Sequence, residues 1–128
     1  MNWQDIALVI AGIIGIGVAL VHGILIQRGI VRPLVKPDSQ FANDKIIKRI
    51  IPGLIQFSTF NWILGGIALI ASIWFERDIR LVTGLLVGSS YLYGTLLNFW
   101  GTRGRHPAWL LYAVALVLIA FGVTSSSS

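Results

Sequence analysis

The residues able to do acid–base or ligand chemistry are few in this sequence. It holds two histidines, His22 and His106, five carboxylates and no cysteine. A histidine can act as a proton carrier or metal ligand near neutral pH. His22, however, lies in a long apolar stretch, and His106 lies in a turn beside Pro107. Bis-histidine haem ligation needs two imidazoles facing each other across the macrocycle, and that spacing does not suggest it. A metal centre needs at least three converging His, Cys or carboxylate ligands, and the lack of cysteine removes thiolate sites and disulfides. A serine–histidine–aspartate relay would need a carboxylate near His22, yet Asp5 sits at the far end of the same stretch. Neither enzymatic activity nor a bound cofactor is expected. Apart from Asp5 at the very start of the first, no Asp or Glu falls inside an apolar stretch, which argues against ion-coupled export through an intramembrane carboxylate.

The uncharged polar residues are more suggestive. His22, Gln56, Asn61, Tyr91 and Asn98 fall toward the same end of three apolar stretches. Their spacing predicts a polar pocket, with Arg28, Arg103, Arg105 and His106 at its mouth. The competing role is hydrogen bonding between helices, typically worth ~0.6–2 kcal/mol per bond. A second set, Arg28, Arg32, Lys45, Lys48, Arg49, Arg103 and Arg105, offers cations to anionic lipid headgroups or an anionic solute. Within it, Gly101-Thr102-Arg103-Gly104-Arg105-His106-Pro107 combines glycines that let a backbone come close with guanidinium forks suited to phosphate or carboxylate. No strand precedes it, so it is no nucleotide-binding loop.

These residues must be positioned by four apolar stretches, roughly Asp5–Ile26, Ile50–Phe75, Leu81–Trp100 and Ala108–Thr124. Each approaches the ~20 residues that cross a ~30 Å hydrocarbon core as a helix. Only 12% of residues are charged and 55% are hydrophobic, too apolar for an ordinary soluble domain. The expected fold is all-α: a polytopic membrane protein with a four-helix bundle. One four-span domain fills residues 1–124, and residues 125–128 form a disordered polar tail. No cleavable signal pattern opens the chain. Eight of the ten basic residues lie in the first and third connectors. The positive-inside rule then places those connectors in the cytoplasm and both termini outside, as in a bacterial inner membrane. The net charge of +5 therefore points to lipid headgroups rather than nucleic acid.

Small and polar residues recur at helical spacing in the first three stretches: Gly12, Gly15, Ala19 and His22, with the overlapping Gly15-xxx-Ala19-xxx-Gly23; then, after Leu54, Ser58, Asn61, Gly65, Ala68 and Ser72; then Gly84, Gly88, Tyr91, Thr95 and Asn98. Such faces let helices approach where lipid supplies no hydrophobic drive. The fourth stretch reads as apolar all round and is expected to face lipid on most sides. Pro33 and Pro37 should end the first helix soon after Arg32. Asp38, Ser39 or Asn43 should cap a short amphipathic segment bearing Lys45, Lys48 and Arg49 beside isoleucines. The expected function is a non-catalytic subunit or assembly factor in a homo-oligomer or with a membrane-protein partner. Alternatives are a channel or carrier for a small anionic or neutral solute and, more weakly, binding of lipid, quinone or haem.

Overall fold

The first helix starts on a reciprocal cap. Asn2 Oδ1 accepts from the Asp5 N–H at 2.8 Å, and Asp5 Oδ2 accepts from the Asn2 N–H at 3.4 Å, satisfying donors that a helix start leaves free. From there the computed structural model, which describes residues 1–124, is helical with no strand among the described residues. The expected polar tail, residues 125–128, lies outside the described residues.

α1 (Trp3–Ile26) runs on through a π-helical turn at Gln27–Val31 into α2 (Arg32–Val35). Pro33 lacks an N–H and its ring crowds the carbonyl four residues back; the wider turn just before it relieves that crowding. The connector then re-enters helix at α3 (Lys45–Arg49). Its cap is Asp44, whose carboxylate accepts from the N–H groups of Ile46 and Ile47 at 2.9 and 3.2 Å, and not the expected Asp38, Ser39 or Asn43. α4 (Ile51–Ile55) follows with Pro52 in its first turn, and α5 (Phe57–Ala71) begins after a break at Gln56, where ψ is 0°. A 3-10 turn at Ser72–Trp74 closes α5. α6 (Arg77–Thr102) and α7 (Ala108–Val123) complete the chain.

α1, α5, α6 and α7 pack side by side, each antiparallel to its neighbours, with α1 against α5 and α7, and α6 against α7 and α5. Two helical runs, Trp3–Val35 and Phe57–Trp74, are long and apolar enough to cross a membrane. The expected small-residue face of α1 is buried: Gly12, Gly15, Ala19 and Gly23 all point inward. At the tightest crossing, a Cβ on Gly12 would come 2.5 Å from the Gly66 carbonyl oxygen, and one on Gly66 would come 2.6 Å from that of Gly12. The backbones of α1 and α5 therefore touch.

Two expectations change. The buried face of α5 is Trp62, Gly66 and Leu69, turned by one residue from the polar stripe through Asn61 and Gly65. Nor does α7 face outward on most sides. It buries Ala108, Tyr112, Ala115, Ile119 and Gly122 against both α1 and α6, a four–three spacing hidden in the sequence by the large aliphatics between them. Large side chains instead crowd the exterior: Leu86 and Val117 are each 70% exposed.

Candidate functional site

An aromatic layer crosses the centre of the bundle. Tyr91 of α6 and Tyr112 of α7 stack with centroids 4.6 Å apart and planes 6° from parallel. Trp62 of α5 meets Tyr112 edge-on at 5.1 Å, and His22 of α1 tilts against Trp62 at 4.8 Å. Such offset and edge contacts suit ring quadrupoles. Gly15 of α1 makes room for the layer, because a Cβ there would fall on the Tyr91 hydroxyl. Both phenols, fully buried, find backbone acceptors. Tyr91 Oη donates to the Trp62 carbonyl at 3.0 Å, and Tyr112 Oη to the Gly15 carbonyl at a long 3.5 Å.

On the basic side of this layer the helices splay. A groove of about 480 Å³ opens there between α1 and α7, and a second of about 700 Å³ opens between α5 and α6. His22, Trp62, Asn98 and Thr102 line both. His22 Nε2 lies 3.1 Å from Ser58 Oγ. The pair has the spacing of a nucleophile and its base, but among the described residues no carboxylate orients the ring. Asp5 sits 17 residues earlier on α1, about 26 Å away at ~1.5 Å per residue, and is paired with Arg80 at 2.9 Å. The His22–Ser58 contact thus acts as a link between α1 and α5.

Of the five residues expected in one pocket, the structure brings His22, Asn61 and Asn98 to the wall of the larger groove. Gln56 lies apart as a staple between helices. Its amide donates to the Gly23 carbonyl at 2.9 Å and to Gln27 Oε1 at 3.3 Å, while its own Oε1 accepts from Thr59 Oγ1 at 2.8 Å. Those bonds hold the broken start of α5 against α1. Tyr91 belongs to the aromatic layer. Asn98 donates to the Gly94 carbonyl of its own helix at 2.9 Å, and Thr95 and Thr102 likewise bond carbonyls four residues back. Much of the polarity of α6 is therefore satisfied locally.

Sequence reasoning missed Trp62 and Tyr112 here; it placed His106 at the mouth of the pocket, without its part in the turn. His106 Nδ1 accepts from the Ala108 N–H at 3.2 Å, and the His106 N–H donates to Thr102 Oγ1 at 3.3 Å. Its ring then lines the α1–α7 groove together with His22. The four–three spacing from Ala108 to Gly122 would have revealed Tyr112. The cations Arg28, Arg32, Lys45, Lys48, Arg49, Arg103 and Arg105 are all exposed on the connectors at this end. Among the described residues no group of three metal-ligating side chains converges. Comparisons with protein families, with curated proteins and with solved structures find no match to this chain, so the reading of the site rests on its chemistry.

Proposed function

We propose that all four long helices cross a bilayer, with the basic connectors in the cytoplasm and both termini outside, and that the protein is a non-catalytic subunit docking on a second copy or a membrane-protein partner along the α5–α6 seam. The inside-out distribution of size supports the membrane reading: small residues and tyrosines within, large aliphatics without. One observation carries the docking reading. Asn61 and Ser90 flank a hollow of about 480 Å³ on that seam, beside Gly65 and Ala68, and neither side chain has a hydrogen-bond partner among the described residues. An amide without a partner in an apolar medium costs ~2–7 kcal/mol, so a neighbouring helix bearing a polar group has reason to settle there. The small residues let it come close.

A cysteine pair tests this. Single cysteines at Leu86, beside the hollow, and at Val117, on the outer side of α7, are oxidised in native membranes. Disulfide-linked dimers, or a cross-link to a partner of fixed mass, are expected from Leu86→Cys and not from Val117→Cys. Monomer from both variants, together with a monomeric mass for the wild type in native mass spectrometry, would refute docking at the seam.

A second reading, a carrier for a small anionic or neutral solute, draws on the walls shared by the two grooves. Against it stands the layer of Trp62, Tyr91 and Tyr112, which fills the bundle between the grooves and the other end. Proteoliposomes holding only this protein should show no flux across a panel of small anions. Flux that His22→Ala abolishes would reverse the preference.

A further inference from the structure

We infer that the groove between α1 and α7 binds one acyl chain of an anionic phospholipid, whose phosphate seats on the turn carrying Arg103 and Arg105. The inference rests on the membrane reading above but not on docking at the α5–α6 seam, which lies elsewhere on the bundle. Two hollows of different chemistry meet at this place. The groove is walled by Ile14, Val18, Val21, Leu25 and Leu111. A shallower hollow is lined by Gly101, Thr102, Arg103, Arg105 and His106. Thr102 and His106 belong to both, so a cationic bowl opens directly into an apolar slot. That continuity matches a molecule with an anionic head and a hydrocarbon chain. The groove volume of about 480 Å³ falls within the ~300–1,000 Å³ typical of small-molecule sites.

The bowl is held in shape. Arg103 and Gly104 both take positive φ, 52° and 76°. The Gly104 N–H donates back to the Phe99 carbonyl at 2.9 Å, and Trp109 Nε1 donates to the Gly104 carbonyl at 3.0 Å. Among the described residues the ion pair Asp5–Arg80 lies at the opposite end, leaving the Arg103 and Arg105 guanidiniums without a carboxylate and open to phosphate oxygens in forked geometry. With His106 Nδ1 accepting from the Ala108 N–H, Nε2 is the ring nitrogen left to donate from the lining of the bowl. A free phosphate would satisfy the bowl alone. Only a lipid also fills the slot, whose wall is opened by Gly17: a Cβ built there meets no atom within 4 Å.

The test uses the full chain in nanodiscs of equal phosphatidylglycerol and phosphatidylcholine, ejected intact into a mass spectrometer. The wild type should keep one phosphatidylglycerol, with a preference of roughly thirtyfold expected from two basic residues at a membrane surface. Arg103→Gln with Arg105→Gln should erase that preference. Gly17→Phe should displace the lipid while leaving helix content and unfolding midpoint unchanged, and Leu111→Trp serves the same end if Gly17→Phe does not fold. Asn61→Leu, on the seam, should leave retention untouched. Equal retention of the two lipids by wild type, retention undiminished by both groove-filling variants, or displacement by inorganic phosphate as effective as by short-chain phosphatidylglycerol would each overturn the inference.

Discussion

Gly12→Ala should destabilise the bundle while Gly17→Ala, five residues along the same helix, should not. The added Cβ at position 12 would lie 2.5 Å from the Gly66 carbonyl oxygen and 2.7 Å from Ile70 Cγ1. Carbon–oxygen contacts between helices ordinarily settle at ~3.3–3.6 Å, so α1 and α5 would have to part by nearly 1 Å. A gap of ~0.5–1 Å forfeits a quarter to a half of each dispersion well, and overpacking of this kind typically costs ~1–3 kcal/mol. At position 17 the same methyl meets nothing within 4 Å. Both substitutions gain the same helix propensity, ~1 kcal/mol in water, which cancels in the comparison. The difference between the two variants is therefore the packing term itself, about 1–3 kcal/mol. Equilibrium unfolding in mixed detergent micelles, followed by circular dichroism, measures it. Agreement of the two variants within ~0.5 kcal/mol, the usual range of a surface change, would show that α1 and α5 do not cross at Gly12 and Gly66.

Three further outcomes are expected. Tyr91→Phe leaves the buried Trp62 carbonyl without its 3.0 Å donor and should cost ~0.6–1.5 kcal/mol in the same unfolding assay; Tyr112→Phe, with a 3.5 Å contact, should cost less, and the reverse order would contradict the described layer. Asp5→Asn removes the partner of Arg80 at 2.9 Å. With both side chains mostly buried, the loss should lie at about 1–2 kcal/mol, between the values for exposed and fully buried pairs, and an unchanged midpoint would show that the pair does not form. A cysteine at Ser39 in the basic connector should resist an impermeant thiol reagent in intact cells, whereas one at Glu76 in the opposite loop should react; the opposite labelling would invert the proposed orientation.

Much of this architecture was legible because it is local. Helix follows from apolar runs, and the inward face of α1 follows from Gly12, Gly15, Ala19 and Gly23 recurring at three- and four-residue steps. The gathering of basic residues in two connectors is likewise a property of the chain order. Capping was less legible, because Asp38, Ser39, Asn43 and Asp44 are all competent caps. Only the geometry of the loop selects Asp44.

The rotation of each helix about its axis was decided by its neighbours. α5 carries a polar stripe through Asn61 and Gly65, and a buried face one residue on through Trp62 and Gly66. One residue is ~100° of rotation in a helix of 3.6 residues per turn, and nothing in the stretch itself chooses between the two. The choice falls to Trp62 because Gly94 of α6 leaves space for its indole and Tyr112 of α7 meets its edge. The candidate site has the same origin. His22 meets Ser58 across 36 residues of sequence, and Tyr112 reaches Gly15 across 97. Helical periodicity assigns a residue to a face, but which polar groups bond, and which are left facing outward as Asn61 is, depends on packing between segments whose spacing no local pattern encodes.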